Sequence, residues 1–273
     1  MTRVKDQPAN RILLWILLAA LLSISVPASK ADRPATVVDI PTRPQVTQRF
    51  VYLAPENPKA AAILFAGGDG GLQIQPDGTF KGGADNFLVR TRELFVQQGL
   101  AVAVLDAPSD RQDGSFLGGG FRESAEHVAD VKAVIAWLRQ QGYRRVWLIG
   151  TSRGTQSAAY VATTLDEGGP DGLILTSTIL SDDKEIPVTA MPLEKLKIPV
   201  LVVHHEQDGC KHCSFASMPR LMKKLKENKR AKLITFRGGI DEGSPCEARA
   251  YHGFNGLDVE VVGKISTWIQ QCK

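Results

Sequence analysis

The sequence predicts an α/β domain, a mostly parallel sheet with helices on both faces. Three observations carry this expectation. Short apolar runs recur over residues 60–66, 101–106, 146–150, 173–180, 200–204 and 232–236, each with the length and continuity of a strand buried on both faces. Stretches of helical periodicity lie between them, and parallel neighbours need such crossovers. Two Gly-rich loops, residues 67–85 and 107–120, follow strands, at the ends where open α/β sheets hold their ligands.

Taken in chain order, residues 48–53 read as an extended segment pairing antiparallel at one edge of the sheet. Residues 87–98 read as a helix stopped by Gly99. The clearest helix places Val128, Val131, Ile135 and Leu138 on one face and ends before Gly142 in the C-cap position. A stretch rich in small residues, 155–164, follows the strand 146–150. Ser217 is placed to cap a helix running to Asn228, with Pro219 in its first turn. The last helix covers about residues 257–271, with Val261, Ile265 and Trp268 on one face. Residues 181–198 are too few for a lid domain, and the whole reads as one domain from about residue 35 to 273.

Residues 1–31 stand apart. Arg3, Lys5 and Arg11 precede an apolar run from Ile12 to Val26, and Ser29-Lys30-Ala31 supplies a small-x-small cleavage pattern, so the segment reads as a secretory signal peptide. An uncleaved membrane anchor is the alternative, because the run is close to the lower limit for spanning a bilayer. Cleavage after Ala31 removes four basic residues (Arg3, Lys5, Arg11, Lys30) and one acid (Asp6), which takes the formal charge from +4 to +1. A near-neutral domain has no electrostatic footprint for nucleic acid. The expected location is secreted or periplasmic, with membrane contact only through the leader if it is kept.

The strand 146–150 runs straight into Gly150-Thr151-Ser152-Arg153-Gly154, which fits G-x-S-x-G, and a helix follows. In such an elbow the serine occupies a strained turn, and glycines two residues to either side relieve crowding against the neighbouring strand and helix. A serine hydroxyl needs a base to take its proton and an acid to orient that base. His252, in Tyr251-His252-Gly253-Phe254 before the last helix, is the candidate base. Asp208, in Gln207-Asp208-Gly209 just past the strand 200–204, is the preferred acid, with Asp182 and Asp183 one strand earlier as alternatives. His127, His204 and His205 read as packed or surface histidines.

The elbow, the acid after the penultimate strand and the His-Gly-Phe before the last helix together resemble the α/β-hydrolase superfamily over nearly all of the chain beyond the leader. The resemblance implies a doubly wound, mostly parallel sheet of about eight strands, no large lid domain, and a catalytic triad of Ser152, Asp208 and His252. It also implies an oxyanion hole built from the backbone N–H of Arg153 and one from the loop Gly67-Gly68-Asp69-Gly70-Gly71, where Gly68 is the expected donor. Ala66 departs from the histidine common at that position; a flexible loop with no such role is the other reading. The Arg153 side chain is expected either to pair with a nearby carboxylate or to meet an anionic substrate. The expected activity is carboxylic ester hydrolysis on a small-molecule, soluble or extended substrate, with no cofactor. A peptidase, thioesterase or acyltransferase using the same triad, and a non-catalytic binding protein on this scaffold, stay open.

All four cysteines lie in the last quarter of the chain. Cys210 and Cys213, with His204, His205 and His212 nearby, have metal-ligand types and C-x-x-C spacing, but no second knuckle completes a zinc site. Export favours a disulfide instead. In the alternating fold Cys210, Cys213 and Cys246 lie beyond the carboxyl ends of strands, whereas Cys272 ends a helix near the opposite face. A bridge needs Cα atoms about 4.4–6.8 Å apart, and a Cys210–Cys246 link is expected to tie the acid loop to the histidine loop. No metal is expected.

Overall fold

The computed structural model describes residues 1–2 and 35–272. The leader expected over residues 1–31 therefore lies, from Arg3 on, outside the described residues. Among the described residues no helix is long and apolar enough to cross a membrane.

Eight strands form one sheet: β1 (Thr36–Arg43), β2 (Val46–Leu53), β3 (Ala60–Phe65), β4 (Leu100–Leu105), β5 (Val146–Thr151), β6 (Gly172–Thr176), β7 (Val200–His205) and β8 (Ala231–Phe236). Their order across the sheet is β1-β2-β4-β3-β5-β6-β7-β8. The strands β4, β3, β5, β6, β7 and β8 pair parallel, and β2 joins β1 and β4 antiparallel. Every residue of β3, β4, β5, β6 and β7 is buried, which is why these strands read as continuous apolar runs rather than alternating ones.

Alternate side chains of these strands feed two hydrophobic layers. Ala61, Ile63, Phe65 and Leu148 pack with α3 (Ala125–Gln140), α4 (Gly154–Thr164) and α5 (Met218–Lys224). Ala62, Leu64, Val102 and Ile149 face α1 (Phe87–Arg90), α2 (Arg92–Gln97) and α6 (Asp258–Gln271) on the other side. The doubly wound, mostly parallel arrangement expected from the sequence is the one found.

Four local departures from expectation have physical causes. The strand β1 was not anticipated, because its sequence carries Pro41 and all but one of its residues are exposed or half-buried; proline is tolerated there since β1 is an edge strand, and the register shifts between Pro41 and Arg43. The helix expected over residues 87–98 breaks at Thr91, whose Oγ1 donates to the Phe87 carbonyl at 2.6 Å, a back-bond that bends helices. The apolar run 173–180 stops being a strand after Thr176, because Ser177 turns to φ +44°. The helix expected to reach Asn228 ends at Lys224, where Leu225 and Lys226 tighten into i→i−3 bonds, and Ser217 makes no side-chain cap.

Sheet order reverses between β3 and β5, so a crevice opens at their carboxyl ends. The long loop after β3 is pinned there by Asp106, whose buried carboxylate accepts the N–H groups of Leu72, Gln73, Ile74 and Ala107. The segment after β6 carries no lid. It folds down so that Val188, Met191, Leu193 and Leu196 join the core.

Candidate active site

Ser152 stands in the crevice on the turn from β5 into α4. Its φ is +52°, a left-handed conformation that a residue with a side chain adopts only where the surroundings enforce it. The surroundings are glycines. A methyl group on Gly150 would lie 2.3 Å from the Gly154 carbonyl oxygen, and one on Gly154 would lie 2.1 Å from that of Phe65. The turn is closed by the Ser152 N–H on Thr176 O at 3.1 Å and by Thr155 Oγ1 on Ser152 O at 2.5 Å.

Asp208 and His252 meet directly. His252 Nδ1 lies 2.9 Å from Asp208 Oδ2, and Asp208 Oδ1 accepts the Cys210 N–H at 2.9 Å. A carboxylate acceptor at Nδ1 places the ring proton there and leaves Nε2 as the bare, basic nitrogen. Nε2 is buried and has no hydrogen-bond partner among the described residues. His252 and Ser152 line one open cleft of about 440 Å³, together with Gly67, Gly68, Asn86 and Glu247. The Ser152 hydroxyl and Nε2 are not hydrogen-bonded to each other.

The histidine loop is held by groups distant in sequence. Ser177 Oγ donates to the His252 carbonyl at 2.6 Å. Arg90 on α1 donates to the carbonyls of Gly253 at 2.6 Å and Ala248 at 3.2 Å and pairs with Asp258 at 2.8 Å. Gly253 is required, since a methyl group there would sit 2.0 Å from Ala248 O. Cys210 and Cys246 are joined, with Cα atoms 4.5 Å apart, so the acid loop is bonded covalently to the segment that leads into His252.

On the opposite wall Gly68 has φ +62°, with open space where a side chain would be. Its carbonyl accepts from Arg122 Nη2 at 2.9 Å, and Arg122 Nη1 donates to Ser157 Oγ at 2.8 Å. Arg122 is fully buried, and burial pulls its pKa down to about 10. The backbone N–H groups of Gly68 and Arg153 donate to no acceptor among the described residues. The Arg153 guanidinium pairs with Asp182 at 2.8 Å and Glu185 at 2.9 Å, so it is engaged by carboxylates of the protein and not held free for an anionic substrate. Asp182, one alternative acid, is thereby occupied.

Of the other histidines, His127, His204 and His205 are buried, while His212 is half-buried with Nδ1 3.0 Å from Ser181 O. His127 is buried and pushed down to about pKa 3 by desolvation. His204 Nε2 lies 2.7 Å from Cys213 O, and His205 stacks on Tyr251 with ring centroids 4.5 Å apart. The disulfide takes Cys210 out of the C-x-x-C pair. Cys213 keeps a free, buried thiol that donates to Ser177 O at 3.3 Å.

Arg90, Arg122 and Ser177 escape sequence reasoning. Each acts on a carbonyl tens of residues away, and the only local signal is a cation next to Phe87-Leu88-Val89 or beside the Gly-rich loop.

No protein-family profile and no curated protein sequence matches the chain. Solved structures do. A lidless α/β serine hydrolase from Xanthomonas campestris superposes with TM-score 0.59 at 16% identity, over 90% of this chain and 97% of that one. An esterase from Pyrococcus furiosus gives TM-score 0.63 at 13% identity, over 88% and 93%. A dienelactone hydrolase from Anabaena variabilis gives 0.61 at 14% identity, over 88% and 98%. The chain has the α/β-hydrolase fold.

Proposed function

We propose that the protein is an exported serine hydrolase that cleaves carboxylic esters through an acyl-enzyme. The observation that carries this reading is His252, buried, bonded through Nδ1 to Asp208, with Nε2 unbonded in the cleft that also holds Ser152 at φ +52°. In the proposed reaction Ser152 Oγ attacks the ester carbonyl carbon while its proton passes to Nε2. The Asp208 carboxylate stabilises the imidazolium, and the N–H groups of Gly68 and Arg153 face the oxyanion. Collapse expels the alcohol, which takes the proton from His252. Water then attacks the acyl-serine with His252 as base, releasing the acid and restoring Ser152.

The cleft bears on the substrate class. Asp69, Asp85 and Glu247 line it; Asp85 is paired with Arg249 at 2.6 Å, while Glu247 is exposed and has no ion-pair partner among the described residues. This field favours neutral or cationic esters over anionic ones. The open, lidless cleft suits a soluble or extended substrate. Export is supported by the leader pattern and by the Cys210–Cys246 bridge, which belongs to an oxidising compartment.

The test is fluorophosphonate labelling alongside turnover of p-nitrophenyl esters. The wild-type protein should be labelled once, and Ser152→Ala should lose labelling and about 10³–10⁶-fold in turnover while keeping its fold. A folded wild-type protein that neither labels nor hydrolyses would instead identify a binding protein on this scaffold.

A further inference from the structure

One polar group at the cleft is used by neither the fold nor the triad. Asn86 stands at the start of α1, where its Oδ1 accepts the Leu88 N–H at 3.2 Å. That bond fixes the amide orientation, because only the oxygen can accept from an N–H. The NH₂ group therefore points away from the helix, and it borders the same small space as Ser152 Cβ and Thr151 O. A methyl group on Gly67 would lie 3.2 Å from Asn86 Nδ2 and 2.9 Å from Ser152 Cβ. Amide and serine thus flank a single small space, which exists because residue 67 is glycine. Nδ2 carries two N–H donors and meets no acceptor among the described residues, and Asn86 lines the cleft.

We propose that Asn86 Nδ2 is a third oxyanion donor, adding a side-chain N–H to the backbone N–H groups of Gly68 and Arg153. The proposal rests on the serine-hydrolase reading given above. In the resting site the donor faces the open cleft. As Ser152 Oγ bonds to the carbonyl carbon, negative charge gathers on the carbonyl oxygen beside Ser152, within reach of an N–H···O bond of about 3 Å. The bond strengthens as charge develops, so its contribution belongs to the transition state and not to ground-state binding. The cap serves this role by holding the amide without a competing partner. Loss of the donor alone should therefore be separable from loss of the cap.

Asn86→Ser and Asn86→Thr both keep an oxygen that can cap α1 and remove the amide without adding charge. Kinetics on a neutral p-nitrophenyl ester, the rate of fluorophosphonate labelling and the melting temperature should be measured for both variants and for the wild type. The expected result is a kcat lower by about 10²-fold, a KM within about threefold, slower labelling, and retained folding in at least one variant. Folded variants with a kcat within threefold of wild type would overturn the proposal, as would a change confined to KM. Absence of both labelling and turnover in the wild type would overturn the serine-hydrolase reading and this proposal with it; normal wild-type activity with unchanged variants would overturn this proposal alone.

Discussion

The two walls of the cleft are built by different means. On the Ser152 wall, Ser152 and Gly68 are positioned largely by backbone conformation: glycines at 67, 150 and 154 permit approaches that any side chain would block. On the facing wall, Asp208 and His252 are positioned by bonds between segments far apart in the chain, namely the Cys210–Cys246 disulfide, the Ser177 hydroxyl and the Arg90 guanidinium. The first wall adds only short side-chain bonds, from Arg122 to Gly68 O and from Thr155 to Ser152 O, and no covalent cross-link. The second depends in addition on the redox state of its disulfide.

The largest effect that probes this contrast is at the acid. Asp208→Asn should lower kcat by about 10⁴-fold, because an amide favours the wrong histidine tautomer. Asp182→Asn should cost far less, since Asp182 already pairs with Arg153. If only Asp182→Asn or Asp183→Asn abolished turnover, the assignment of the facing wall would be wrong.

Reduction should come next in size. Opening the bridge between Cys210 and Cys246, 36 residues apart, is expected to remove about 3–4 kcal/mol of stability in the chain-entropy account. Activity should fall at denaturant concentrations where the elbow and the rest of the sheet are still folded. Parallel loss of activity and of far-UV circular dichroism would contradict the separation between the two walls.

The smallest effect lies at Glu123. Glu123 is partly buried near Glu185, and burial first, then Glu185, raise its pKa to about 7. The folded value exceeds the unfolded one of about 4.3, so folding favours the protonated acid. Its contribution is full below about pH 4 and declines as pH rises through 7. Glu123→Gln should thus be more stable than wild type at pH 8 by about 1 kcal/mol, solvent screening included, and no more stable at pH 4. Urea unfolding at the two pH values tests this, and an equal gain at both would refute it.

Legibility in the sequence follows the same division. The elbow could be read because strand, glycines, serine and helix are consecutive. The central strands could be read because burial on both faces leaves an unbroken apolar run. Arg90, Arg122, Ser177 and Asn86 could not, because what they do depends on carbonyls or a serine brought near by the fold, and each looks ordinary among its chain neighbours. The break at Thr91 hinges on one hydroxyl turning inward, and β1 on an edge position that tolerates Pro41; neither leaves a periodic trace.

The free thiol of Cys213 has a consequence for how the chain reaches its oxidised form. Its sulfur lies within 4.8 Å of that of Cys210, close enough for thiol–disulfide exchange to convert the long link into a Cys210–Cys213 ring and expel Cys246. Such exchange requires a thiolate. Burial holds the Cys213 proton in place by pushing its pKa well above the ordinary thiol value, and the same thiol donates to Ser177 O. In the unfolded chain this burial is absent and Cys213 can compete for Cys210. In the folded chain Cys213 is packed against Ile179 and Cys210, and that burial disfavours its thiolate. Folding therefore favours the Cys210–Cys246 link over the Cys210–Cys213 alternative.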